Sequence, residues 1–186
     1  MFIFSCYCTH KNCIIVKENV NFRNAEMGDT VMTKTNAVRL LETAGISFHL
    51  CEYDISDNDV SGVGVAAKLG REPECVFKTL ITEGKNKGTY VFVIPGNVEL
   101  NLKKAAKAAG DKYVEMIKAR ELEPKTGYVH GGCSPVGMKK QFPTFIDETA
   151  QMHETIIVSG GRTGLQIELA PNDLAKAINA EFYDLW

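Results

Sequence analysis

Gly131-Gly132-Cys133-Ser134-Pro135-Val136-Gly137 breaks an otherwise apolar strand pattern, and it has two counterparts. Upstream stands Val76-Phe77-Lys78-Thr79-Leu80, and downstream Val158-Ser159-Gly160-Gly161-Arg162-Thr163-Gly164-Leu165. Each inserts glycines or a cation where a strand prefers neither. Glycines let backbone amides come close to a ligand, because no side chain intervenes and positive φ costs little. Pro135 fixes the far side of the first loop and removes a donor. A loop of this kind can cradle an oxyanion, a sugar or a phosphate. Taken singly, each also reads as a tight turn.

Lys78 narrows the choice. Strand alternation sets Val76, Lys78 and Leu80 on one face and Phe77, Thr79 and Ile81 on the other. Apolar residues occupy both faces, so the ammonium is expected to be half-buried and to need an anion or a carbonyl. The alternative is a lysine whose stem packs while its head reaches water.

Outward from these segments the pattern is mixed. Thr35 or Asn36 can cap a helix that stops at Gly45, and Ile46, Phe48 and Leu50 alternate as a strand. Val65 to Leu69 predicts a short helix closed by Gly70, and Val76–Thr82 with Tyr90–Ile94 a hairpin around Gly84–Gly88. Asn101 and Gly110 bracket a helix over Leu102–Ala109. Strands are expected at 113–116, 144–146, 155–158 and 165–169, and a last helix, capped by Asn172 or Asp173, runs to Ile178. Strands separated by short helices and hairpin-like links predict an α+β fold rather than a doubly wound parallel sheet.

A chain of 186 residues, 45% apolar, suits one core. The composition changes near residue 30. Residues 1–31 are read as a disordered or mis-called upstream extension, and 32–186 as the domain. The extension holds Cys6-x-Cys8-x-His10-x-x-Cys13, but Cys-x-Cys is tighter than the usual zinc spacing, and no metal or other cofactor is expected. The other three cysteines, Cys51, Cys75 and Cys133, show no disulfide framework. No apolar run approaches the roughly 18 residues that cross a bilayer, and the short, polar-broken apolar stretch in residues 1–9 reads as a poor secretory signal. No membrane association is expected, and the compartment read is the cytoplasm. Net charge is −2, so any nucleic acid must meet a local patch. The candidates are Lys103, Lys104 and Lys107 on one helix, Lys139 and Lys140 after the glycine loop, and Arg162; the helix group also reads as a solvated face.

Phe77-Lys78-Thr79-Leu80, Lys103-Lys104-Ala105-Ala106, Thr126-Gly127-Tyr128, the Gly131–Gly137 loop and Ser159-Gly160-Gly161-Arg162 together resemble the YbaK/EbsC-type aminoacyl-tRNA deacylases. These are relatives of the bacterial prolyl-tRNA synthetase editing domain, and the resemblance runs from about Met32 to Trp186 in family order. It implies a mixed, barrel-like β-sheet flanked by short helices. The implied partner is a mischarged tRNA held by its terminal adenosine, with prolyl-tRNA synthetase as a second partner. By the same resemblance Lys78 is the catalytic residue. Tyr53, Thr79, Gly131, Gly132, Ser134, Pro135, Gly137, Ser159, Gly160, Gly161 and Gln166 form the substrate site, and the lysines above with Arg162 meet the tRNA. The branch most resembled clears cysteinyl-tRNA(Pro), where the substrate's own thiol attacks its ester and leaves as a cyclic thiolactone.

The ester of an aminoacyl-tRNA is already activated, so positioning and charge stabilisation suffice. Two other readings stand beside this one. Cys133, with His130 three residues away, is a candidate thiol nucleophile. A binding module without turnover would keep the glycine loop and not need Lys78. Two departures from the cysteine-specific pattern bear on the amino-acid pocket: Gln166 stands where an aspartate is usual, and Ser61 where an aromatic residue precedes the glycine of the second helix. Deacylation of another small residue, such as Ala or Ser, therefore remains an alternative.

Overall fold

The Thr35 hydroxyl accepts a hydrogen bond from the Val38 amide, and that cap starts the first helix. The computed structural model describes residues 13–16, 34–85 and 88–186. In chain order the elements are β1 (Cys13–Val16), α1 (Asn36–Thr43), β2 (Phe48–Glu52), α2 (Gly62–Leu69), β3 (Phe77–Gly84), β4 (Thr89–Pro95), α3 (Leu102–Ala108), β5 (Val114–Met116), α4 (Ala119–Thr126), β6 (Thr144–Asp147), β7 (Ile156–Arg162), β8 (Leu165–Leu169), α5 (Pro171–Ile178) and β9 (Glu181–Tyr183). No helix among the described residues is long and apolar enough to cross a membrane.

The mixed α+β architecture read from the sequence is the one found. One sheet is antiparallel throughout, in the order β1-β2-β8-β7. The other, β5-β3-β4-β6-β9, joins antiparallel β3 pairings to parallel β4–β6 and β6–β9 pairings. Among the described residues an isolated parallel bridge, Val76 to Ile157, links them, so the strands form two joined sheets rather than a closed cylinder. Between the sheets lies the main core, with Phe48, Leu50, Val158 and Ile167 meeting Phe77, Ile81, Val93 and Ile146. Helices α1 and α5 close its ends with Leu41 and Leu174. The other face of the mixed sheet packs Phe92, Ile94 and Phe145 on Ala105 and Ala106 of α3. Helix α2 lies over Tyr53, Val76 and Ile157 through Val65 and Ala66. Burying a valine contributes about 1.5–3 kcal/mol; with half-buried Leu69 beside Val65, α2 has few apolar anchors and depends on how its ends are held.

Several elements depart from the sequence reading. Within the expected extension, Cys13–Val16 pairs with β2 as an edge strand; Cys6, Cys8 and His10 lie outside the described residues. Helix α4 lies in a stretch for which the sequence reading names no element, and it holds Pro124 inside it. It starts with the Glu121 carboxylate accepting from the Lys118 amide at 3.0 Å and ends at left-handed Gly127. Neither Asn172 nor Asp173 caps α5: Ala170 holds that position without a side-chain bond, and Pro171 supplies the first turn. The short parallel strand β9 leads to a latch at the chain end. Buried Asp147 accepts from the Leu185 amide at 3.0 Å and from the Trp186 indole at 3.2 Å.

Candidate active site

Lys78 lies on β3, opposite Ile94 of β4. Its side chain is 27% exposed, and the ammonium donates to the Gly96 carbonyl at 3.3 Å. Glu99 is 3.9 Å away but fully solvated, a long and well-screened contact. The expectation of a half-buried ammonium seeking a carbonyl is met in these distances. Gly96 is brought there by two contacts. Its amide donates to the Val76 carbonyl at 2.7 Å, and its Cα packs on Gly62 at the start of α2, where an added Cβ would come within 2.5 Å. Only two glycines allow that approach. Ser61 caps α2 through a bond from the Gly64 amide at 3.0 Å.

Register extends the site across the second sheet. Gln166 pairs with Cys51 on one side and Ser159 on the other, and the bridge sets Val76 beside Ile157. Paired residues share a face and i, i+2 residues repeat it, so Cys51, Gln166, Ser159 and Lys78 fall on one continuous face. Gln166 and Ser159 are 4% and 9% exposed, which makes this a covered row rather than a solvated surface. Tyr53, next after β2, joins the same side in the α2 cluster, and its buried hydroxyl has no partner. Thr79 is turned the opposite way, because neighbours on a strand alternate; its hydroxyl is also buried and unpartnered, but on the face away from Lys78.

The glycine segments border this row. After the Ser159–Gln166 pair the register jumps to Arg162–Leu165, which extrudes Gly160 and Gly161 as a bulge. Gly132 packs on the backbone of Arg162 and Thr163, and Gly131 on Val60 in the loop that leads to α2. The expected loop residues thus come together with the bulge and the α2 entrance. Ser134 is fully buried and accepts from the Val136 amide at 3.2 Å, beside buried Pro135 and Val136, so its hydroxyl serves the turn. The Ser159 hydroxyl similarly accepts from the Gly161 amide at 3.3 Å. A cavity of about 400 Å³ lies behind the loop, lined by Leu40, Leu41, Pro135, Phe142 and Ile178; its walls include none of Lys78, Ser159 or Gln166.

The thiol-nucleophile alternative fits poorly. Cys133 packs against the main core, and burial pushes its thiol up to about 12, a protonated group at neutral pH. Its neighbour His130 is exposed.

The expected tRNA-contacting cations divide. Lys103 and Lys107 are exposed on α3. Lys104 pairs with Asp184 at 2.6 Å and also binds the Trp186 carbonyl, and Arg162 pairs with Glu52 at 2.7 Å. Lys139 lays its stem on Gly127 and donates to the Glu123 carbonyl at 3.2 Å, while Lys140 edges the rear cavity. The residues that sequence reasoning passed over are Gly96 and Gly62. The Pro95-Gly96-Asn97 turn closing β4 was the available signal.

A model of the aminoacyl-tRNA editing domain matches residues 61–177, which span α2, Lys78, the glycine loop and the bulge. The chain is 49% identical over 152 residues to a protein of Enterococcus faecalis named "Putative Cys-tRNA(Pro)/Cys-tRNA(Cys) deacylase EbsC", covering 82% of this chain and 93% of that one. A solved structure described as "a putative trans-editing enzyme for prolyl tRNA synthetase" aligns with a TM-score of 0.71 at 25% identity, over 81% of this chain and 94% of that chain. A proline–tRNA ligase of Shouchella clausii is 30% identical over 53% of this chain, but only 17% of its own length is matched. With the matched model and a relative covered almost end to end, this chain belongs to the aminoacyl-tRNA editing domain family.

Proposed function

We propose that the protein is a trans-editing aminoacyl-tRNA deacylase that clears Cys-tRNA(Pro), and also Cys-tRNA(Cys), in the cytoplasm, with prolyl-tRNA synthetase as its partner. The domain that does this runs over residues 32–186. The observation that carries the reading is the covered row with Lys78 at its end, bordered by two glycine segments whose one cysteine, Cys133, is half-buried against the core with its thiol protonated. Such a site does not need its own nucleophile if the substrate brings one. The cysteinyl thiol, having lost its proton, attacks the ester carbonyl carbon. A C–S bond forms, the C–O bond to the ribose breaks, and the proton ends on the ribose oxygen, leaving free tRNA and a cyclic thiolactone. Lys78 stabilises the oxyanion that develops on that carbonyl, or a phosphate of the terminal nucleotide. Gly131, Gly132, Gly137, Gly160 and Gly161 offer close backbone approach to the terminal adenosine, with Pro135 fixing the loop. Tyr53 and Gln166 face the amino acid. Gln166 both donates and accepts without carrying charge, which suits a small polar side chain. Lys103 and Lys107 are the α3 cations available to the tRNA backbone.

The test compares Cys-, Ala-, Ser- and Pro-tRNA as substrates. Cys-tRNA is expected to be deacylated fastest, with modest activity on Ala-tRNA or Ser-tRNA. Cys133→Ala is expected to leave these rates nearly intact, since the reactive sulfur belongs to the substrate. Preference for a substrate without a thiol would replace the cysteine assignment with the small-residue alternative. Loss of all activity in Cys133→Ala would restore the thiol enzyme, and tight tRNA binding with no turnover would leave a binding module.

A further inference from the structure

The first turn of α1 reaches both glycine segments. The Thr35 hydroxyl, besides capping the helix, donates to the Gly160 carbonyl at 2.6 Å, and the Asn36 amide donates to the Gly137 carbonyl at 2.8 Å. Tyr128 adds a third bond. The residue is 7% exposed, and its hydroxyl donates to the Val136 carbonyl at 2.6 Å. That same side chain is wedged between the segments: a Cβ on Gly161 would meet its ring at 3.1 Å, and one on Gly137 its hydroxyl at 3.0 Å. Three side chains, none of them on the row with Lys78, thus tie the bulge and the end of the loop together.

All three bonds go to backbone carbonyls. Because the peptide group is planar, holding the Val136 carbonyl also sets the direction of the Gly137 N–H, and holding the Gly160 carbonyl sets that of Gly161. Glycine-rich backbone has little stiffness of its own, so its aim depends on what its carbonyls are fastened to. Resting on the editing reading above, we infer that Thr35, Asn36 and Tyr128 are positioning residues that lock the two glycine segments into one rigid cradle for the aminoacyl-tRNA end. They touch no reacting atom. Their effect on the reaction is through geometry, where a displacement of about 1 Å can cost a hundredfold in rate.

Four variants separate this from a purely structural role. Asn36→Asp keeps the shape, removes the donor and places an anion at a helix start, where it is tolerated. Tyr128→Phe removes one hydroxyl and keeps the ring. Thr35→Val removes the hydroxyl and Thr35→Ser retains it. Amide hydrogen exchange is followed in Gly131–Gly137 and in Gly160–Gly161, alongside kcat and KM for Cys-tRNA. Asn36→Asp is expected to speed exchange in both segments, including the bulge it does not touch. It is also expected to lower kcat about tenfold with KM little changed, since it disturbs aim more than binding. Tyr128→Phe and Thr35→Val should behave alike, and Thr35→Ser should recover protection and rate. Exchange that rises only beside the deleted bond, or kcat that holds while melting temperature drops, would overturn the cradle. If the unaltered protein deacylates nothing, the editing reading falls, and the exchange pattern still decides whether the segments are coupled.

Discussion

Replacing Lys78 by Met is expected to lower kcat/KM for Cys-tRNA by about a hundredfold or more, close to 3 kcal/mol, the scale of losing one preorganised electrostatic stabiliser. Methionine keeps most of the stem's packing, so the loss isolates the charge. Lys78 is the right place for so large an effect. Its side chain is 27% exposed, so its field is less screened than on an open surface; its nearer partner, the Gly96 carbonyl, is neutral, and the Glu99 carboxylate at 3.9 Å is fully solvated. Single-turnover deacylation, with circular dichroism to confirm the fold, reads the result. A folded Lys78→Met protein with near-normal turnover would remove the residue from the mechanism.

The second large effect is expected from Gly62→Ala, for stability as well as activity. An added Cβ would stand 2.5 Å from the Gly96 Cα and 3.0 Å from its carbonyl carbon, and both are backbone atoms that cannot rotate aside. Overpacking of this kind costs about 2–3 kcal/mol. In a chain of this size that lowers Tm by roughly 5–10 °C. Because Gly96 also accepts from Lys78, the displacement should reduce the rate beyond what the lost stability explains. The control is Val63→Ala one position on, where the side chain is 49% exposed. If thermal melts show Gly62→Ala to be as mild as Val63→Ala, the close approach of α2 to the β4 turn does not hold Lys78 in place.

How much of this was legible beforehand depended on whether a signal was local. The caps at Thr35, Asn101 and Gly70 and the alternation of Phe48 and Leu50 report on neighbours within a turn or a pleat, and those elements fall where the sequence puts them. Helix α4 defied its Pro124 because Glu121 and Gly127 secure its two ends. Lys78 could be named from its strand, but its row could not. The alignment of Cys51, Gln166, Ser159 and Lys78 exists only through registers among four strands, of which only β7 and β8 are neighbours in the chain. The same limit applies to the cations. Lys104 and Arg162 look available in sequence, yet each meets an acid 80 or 110 positions away. Alternation, a local signal, did place Thr79 on the opposite face from Lys78, as the pleat has it.

The latch on Asp147 gives the molecule a built-in optical reporter. Trp186 is the only tryptophan in the chain, and its indole N–H is bonded to a buried carboxylate at the end of β6 while half of its surface meets solvent. Its emission therefore comes from a single, known joint, where the chain end closes over the mixed sheet. Spectral changes on unfolding or on ligand addition refer to that joint alone, with no second fluorophore of its kind to subtract.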